Sequence, residues 1–467
     1  SKPPMIAWLI GATTSIFGHE EWAVRLSSPL IHPLTTYILF RTGRYLFDER
    51  TGFWAALLYF LMPAVWLSSA IVSTDVALLF FWTLALNAWA HLRDEPTFKW
   101  AVLLGIAIGF GMLSKYAMIF FIIGLVMCAL FDKKTRSALV SKNGIMVIAI
   151  ALLILSPNLY WNMTHNFSTL THTAENAGLG GSFFHPKELI EFWLGQLGML
   201  GPITLVIMLS ATIFILVKKP SQTELSLAIF TLCPLIIISV EAILSHANAN
   251  WAVSAYMAGT LLTARIAVSH WPRALKFGVG LNIVLGSVLA VISLSPQLTN
   301  TLGAANSVKR VRGWPQTEAM LVQIAKKGHD GHKFIAVATD NRLAFYDLLY
   351  YGIEQDTGLP LRMWMNTSQV LHHAEANAPL RGSHAEAGPV LIINHHQDCH
   401  TLTGEKKVSC LRILATSGAL SYADKFRDDF IRLEELPPFK LDLGGGKTRT
   451  FRLWAGYGYT PTEMSRR

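Results

Sequence analysis

The apolar runs of this chain carry few ionisable residues, and those at their ends are where chemistry could sit. Asp75 lies in "IVSTDVALLFFW", at the mouth of an apolar run, and Lys115 lies in "GMLSKYAMIFF", between two of them. Charges at membrane depth are costly, and a function is the first explanation to test for them. Each also has a plainer reading. Asp75 follows Ser-Thr at a helix start and would serve as an N-cap. Lys115 would serve as a lysine snorkelling to the headgroups. Lys2 and Arg25 add two cations on the same face, in "SKPP" and "WAVRLSS". Lys2, Arg25 and Lys115 together suit an anionic phosphate headgroup, which arginine can grip at two points.

The elements that must position these residues are membrane helices. The chain has 467 residues, of which 52% are apolar and 15% charged, and its mean hydropathy is +0.39. That composition points to a polytopic membrane protein. Ten apolar segments are read as spans: 24–42, 53–72, 75–91, 99–114, 117–131, 144–161, 200–217, 225–244, 251–268 and 275–294.

One alternating set of loops holds fourteen cations, including Arg93, Lys133, Lys134, Lys218 and Arg265. The other set holds "VSTD", "SKY", the segment 162–199 and "SHANAN", with only Lys115 and Lys187 as cations. The positive-inside rule places the first set in the cytoplasm and the second outside. The net charge of +9 is then a matter of topology, and a nucleic-acid partner is not expected. A chain end on the outer face with no helix before it implies that a first transmembrane segment is missing. "ELIEFWLGQLGML" and the opening stretch with Ile6 and Trp8 suit helices lying in the membrane interface.

Two domains are expected, a transmembrane part over 1–295 and a small α/β domain over 296–467 on the outer side. "NSVKRVRGWPQTEAMLVQIAKKG" and "RLAFYDLLYYG" read as helices. "FIAVAT", "PVLIIN", "CLRILAT" and "RTFRLWAGY" read as strands. "LGGGKTRTF" lacks the first glycine of a phosphate loop, since Leu441 stands there, and reads as a hairpin turn. "NHHQDCH" reads as a surface loop rather than a metal centre. Cys399 and Cys410 are expected to form a disulfide in an oxidising compartment, whereas Cys128 and Cys233 lie in apolar runs and read as inert.

The ordered series "SKPPMIAWLIGATTSIFGHEEWAVRLSSPLIHPLTTYILF", "STDVALLFFWTLAL", "GMLSKYAMI", "LSPNLYWNMTHNFSTL", "LGPITLV" and "NANWAVSAYMAG" resembles the bacterial C-type, lipid-carrier-dependent glycosyltransferases. That family includes the aminoarabinose transferase of lipid A, rhizobial galacturonosyltransferases and protein O-mannosyltransferases. The resemblance implies an α-helical polytopic membrane protein with a small C-terminal α/β periplasmic domain. It implies an inner-membrane enzyme that moves a sugar, with inversion, from polyprenyl phosphate to a lipid or glycan acceptor at the outer face. Its partners would be that donor, the acceptor and membrane lipids.

By the same resemblance Lys2 approaches the carrier phosphate, and Arg25, Asp75 and Lys115 fall at motif positions. His165 and Asn166 match a polar position, and His246, Asn250 and Trp251 of "SHANANW" are substrate-cavity candidates. The resemblance fixes no cofactor, and a divalent metal stays open. A first-loop acidic residue of the family lies upstream of this chain's start. Ala77 and Val253 stand where the family often has proline. The rival readings are a flippase for lipid-linked sugar, an oligosaccharide polymerase or ligase, and a protein O-glycosyltransferase.

Overall fold

The computed structural model describes residues 3–164, 167, 184–218, 220–365, 370, 373–382, 384–395 and 426–461. The chain divides into two compact units, Ser1–Leu294 and Ser295–Arg467.

Among its described residues the first unit is built of helices and short connections. A short helix α1 (Met5–Phe17) follows Pro3 and Pro4, and α2 (Glu21–Arg25) leads into α3 (Ser27–Leu46). Then come α4 (Glu49–Phe60), α5 (Pro63–Ser69), α6 (Thr74–Asp94), α7 (Phe98–Ser114), α8 (Ile119–Phe131), α9 (Lys133–Leu139) and α10 (Lys142–Thr164). The unit closes with α11 (Pro186–Leu200), α12 (Pro202–Val217), α13 (Gln222–Leu244), α14 (Ala255–His270) and α15 (Pro272–Leu294).

All ten apolar segments are helical, though not each as a single rod. Among the described residues four helices are long and apolar enough to cross a membrane singly, or up to seven if each bent pair is one span. The segment 53–72 is not one rod: α4 and α5 meet at 57°. Pro63 opens α5, and a proline cannot supply the N–H that would continue α4. The segment "ELIEFWLGQLGML" lies on a helix of its own, α11. α11 turns through 107° into α12 at Gly201, whose φ is 90°. A side chain at Gly201 would also have its Cβ 1.9 Å from Asn282 Oδ1, so only glycine allows the corner.

Aromatic rings knit α6, α8 and α13 together. Trp82 meets Phe121 edge-on at 5.2 Å, Phe121 stacks on Phe230 at 4.9 Å, and Trp89 meets Phe230 at 5.2 Å. All four are buried. Centroid distances of this kind add stabilisation beyond area burial.

Among the described residues the polar contacts named below join loops of the same set. In the cation-rich set, buried Arg93 donates from Nε to Asp132 Oδ2 at 2.6 Å, and Lys134 pairs with Asp94 at 2.9 Å. Asn143 donates to the Pro96 carbonyl, and Arg265 pairs with Glu224 while lying over the Phe47 ring. Burial alone would raise the Asp132 carboxyl, but hydrogen bonds from Thr135 and Arg93 outweigh it and hold the group below its ordinary range. In the cation-poor set Asp75 accepts from both Lys115 and Asn250.

The second unit carries a five-stranded sheet in the order β2-β1-β3-β5-β4. The strands are β1 (Ala336–Thr339), β2 (Leu361–Met363), β3 (Val390–His395), β4 (Phe430–Gly444) and β5 (Lys447–Tyr459). β2, β1 and β3 run parallel, and β5 joins β3 antiparallel. The turn at "LGGGK" closes the β4–β5 hairpin through Gly444, Gly445 and Gly446, all at positive φ.

Two expectations change here. The helix expected over 306–328 is split: a single turn, Ala305–Val308, stands apart from α16 (Trp314–Lys327), and Gly313 between them adopts a left-handed conformation at φ 73°. β4 was not expected, since Pro437 and Pro438 interrupt it. It tolerates them as the edge strand, with a register shift between Leu436 and Phe439. The 410–416 run and the pair Cys399 and Cys410 lie outside the described residues, as does "HHQDCH" beyond its first histidine. Cys128 is a buried free thiol and Cys233 a half-buried one.

Candidate active site

Asp75 sits in the first turn of α6, where the helix dipole favours a negative charge. It is not the cap. Ser73 holds the N-cap position, and no side chain bonds to the exposed amides there. The carboxylate instead reaches across to other elements. Lys115 Nζ donates to Asp75 Oδ1 at 2.7 Å, and Asn250 Nδ2 donates to Oδ2 at 2.8 Å.

Lys115 is equally placed by local structure. It follows the last turn of α7 in an extended conformation, φ −160° and ψ 135°, with its amide bonded to the Gly111 carbonyl. A cation at a helix C-terminus is favoured by the dipole. The side chain does not snorkel away, because it is tied to Asp75 and is 24% exposed against 14% for its partner. The next residue, Tyr116, donates its hydroxyl to Asn158 Oδ1 on α10 at 2.8 Å, and Asn162 on the same helix face donates back to that hydroxyl at 3.4 Å. Asn158 and Asn162 went unnoticed in the sequence, although two asparagines four residues apart in "SPNLYWN" present one polar face.

Asn250 comes from a 3-10 turn, Ala249–Ala252, that precedes α14. Exposed His246 lies on the same loop, with Nδ1 3.1 Å from Ser245 Oγ and its ring 5.8 Å from that of Trp251. Among the described residues no hydrogen bond or ion pair links His246 or Trp251 to the Asp75–Lys115 pair. Arg25 is not brought to the pair either. It lies half-exposed on α2 and pairs with Glu21 at 2.9 Å. Lys2, His165 and Asn166 lie outside the described residues.

Each oxygen of the Asp75 carboxylate accepts one bond, from an ammonium and from an amide. What the arrangement offers is one fixed ammonium. Lysine has three N–H donors and Asp75 takes one, so two remain for an oxyanion.

Residues 1–161 match the family described as "Dolichyl-phosphate-mannose-protein mannosyltransferase". The chain is 31% identical over 352 residues to "Lipid A galacturonosyltransferase RgtD" of Rhizobium johnstonii, covering 75% of this chain and 73% of that protein. The chain belongs to the C-type, lipid-carrier-dependent glycosyltransferases. Another relative, 31% identical over 163 residues, is "Undecaprenyl phosphate-alpha-4-amino-4-deoxy-L-arabinose arabinosyl transferase 1" of Pseudomonas fluorescens, matched over 33% of this chain and 29% of that one. The crystal structure of ArnT from Cupriavidus metallidurans bound to undecaprenyl phosphate superposes with a TM-score of 0.58 at 14% identity, covering 97% of this chain and 87% of that one. The fold is that of this glycosyltransferase family. The protein is accordingly a membrane glycosyltransferase that uses a lipid-phosphate-linked sugar, and the flippase reading falls.

Proposed function

We propose that this glycosyltransferase moves a galacturonosyl residue from polyprenyl phosphate to lipid A on the outer side of the bacterial inner membrane. The observation that carries the reading is the Lys115–Asp75–Asn250 constellation at the cation-poor end of the helical unit. The choice of sugar and acceptor rests on the similarity to RgtD, which spans three quarters of the chain.

In the reaction an acceptor oxygen attacks C1 of the sugar from the face opposite the carrier. The C1–O bond to phosphate breaks, its electron pair stays on the phosphate oxygen, and the configuration inverts. Lys115 is assigned to that oxygen, where its charge offsets the negative charge that develops as the bond lengthens. A fixed cation helps more in the transition state than in the ground state, which is what acceleration requires. Asp75 holds the ammonium in place, and Asn250 fixes the carboxylate. Lys2 and Arg25 are assigned to the outer oxygens of the carrier phosphate, as the family motifs imply. His165, Asn166, His246 and Trp251 are assigned to the walls of the sugar cavity. If the acceptor is a hydroxyl its proton must leave to a base, whereas an acceptor phosphate needs none.

The C-terminal unit is assigned to the periplasm, a placement supported by the positive-inside distribution and by the segregation of loop contacts. An alkaline phosphatase fused after Arg467 tests it, since that reporter is active only outside the cytoplasm. For the reaction, lipid A from a strain lacking the enzyme is compared by mass spectrometry with lipid A from the complemented strain. Gain of a hexuronate on complementation supports the reading. Gain of an aminopentose, or a change confined to glycoproteins, overturns the assignment of sugar or acceptor.

A further inference from the structure

Helix α11 buries one stripe, Phe192, Gln196 and Leu200, while Ile190 and Leu194 on its other side are 60% and 58% exposed. A glutamine in an otherwise apolar buried stripe must find partners, and Gln196 is fully buried. Its Oε1 accepts from the Tyr256 hydroxyl on α14. Its Nε2 donates to the Phe192 carbonyl at 3.1 Å and to the Ala249 carbonyl at 3.0 Å. A hydroxyl donor on one side and two carbonyl acceptors on the other fix which way the amide faces.

The Ala249 carbonyl belongs to the peptide unit that leads into Asn250, and Asn250 is the residue that grips Asp75. The contact is also tight in packing. A Cβ added at Gly195 would lie 2.6 Å from Ala249 Cβ, so α11 presses on the turn at that point. A continuous path of hydrogen bonds and one peptide plane therefore runs from Tyr256 through Gln196 and Asn250 to Asp75 and Lys115.

We infer that Gln196 is a positioning residue for glycosyl transfer: it pins the 249–250 peptide so that Asn250 holds Asp75, and thereby Lys115, in register. The inference rests on the proposed role of the Asp75–Lys115 pair. It makes α11, with its exposed apolar side, a part of the catalytic apparatus. A small misplacement of an electrostatic group is enough to slow a reaction markedly, so Gln196→Met should lower kcat by about tenfold while the donor KM stays within about twofold. Tyr256→Phe, which keeps the packing, should give a smaller loss of the same kind.

The test is a cycle in the full chain, reconstituted in lipid with polyprenyl-phosphate-linked sugar as donor and normalised to folded protein. Gln196→Met is made alone and on an Asn250→Ala background, with Thr231→Val on α13 as a buried control of comparable stability loss. If Gln196 acts through Asn250, its effect on kcat disappears in the Asn250→Ala background. The same factor lost in both backgrounds, or a lower melting temperature with kcat per folded molecule unchanged, overturns the inference. Should Gln196→Met fail to fold, Tyr256→Phe is read in the same cycle with the same two outcomes. Lys115→Met and Asp75→Asn are run beside them. If those two retain full activity the site itself is misassigned. If they lose activity while Gln196 shows no coupling, only the positioning role fails.

Discussion

Replacing Asp75 by asparagine keeps the shape of the site and removes one charge. The Lys115–Asp75 contact of 2.7 Å corresponds to a gross attraction of about 6 kcal/mol at an effective dielectric of about 20. Most of that is offset by desolvation, because the side chains retain 24% and 14% of their exposure. The pair lies between exposed pairs, worth about 0–1 kcal/mol, and buried ones, whose breaking costs about 3–5 kcal/mol. A stability loss of about 2 kcal/mol is the expected result for Asp75→Asn.

The catalytic loss follows from position rather than charge. The ammonium is still present in Asp75→Asn but is held less firmly, which should cost about 10-fold to 100-fold in kcat. Lys115→Met removes the stabilising donor itself and should cost about 100-fold to 1000-fold. Since Asp75 acts by holding Lys115, the double variant should be no slower than Lys115→Met alone. The assay is sugar release from the radiolabelled lipid-linked donor in proteoliposomes, with thermal unfolding followed on the same samples. If Asp75→Asn multiplies the loss of Lys115→Met by its own full factor, the two residues act independently and the reasoning fails.

Arg93→Leu should destabilise the helical unit by about 3–5 kcal/mol, because Asp132 would keep a buried charge without its partner; its melting temperature should fall while activity per folded molecule does not. Gly52→Ala should lower yield and melting temperature, since a Cβ there would lie 2.5 Å from the Phe40 carbonyl oxygen where α3 and α4 cross. In the C-terminal unit burial raises Asp347 to about 6, against the opposing pull of Arg449. A carboxyl raised in the folded state favours folding while protonated, so this contribution is full below about pH 4 and is lost as pH rises through about 6. Asp347→Asn should therefore flatten the change in hydrogen-exchange protection of β5 between those two values.

The amino-acid sequence determined the class of protein and which apolar segments are helical. Apolar length decides what partitions into a membrane, and the lysine and arginine bias decides which loops share a side. Both are sums over local composition and need no tertiary contact. That is why Asp75, Lys115 and Asn250, spread over 175 positions, could be assigned to one face, and why the loop contacts respect that division. The motifs also named the family, because their order along the chain carries more information than any one of them.

The tertiary structure decided what each polar residue does on that face. A lone aspartate after Ser-Thr caps a helix or serves a site according to what packs opposite it, and the partners of Asp75 come from α7 and from the turn before α14. Arg25 shares the face in sequence yet pairs with Glu21 one helical turn away. Gln196 was invisible because a buried glutamine and an exposed one look alike in sequence. The edge position of β4 depended likewise on neighbours. Composition fixes where a residue can live, while the identity of its partners is a property of long-range packing.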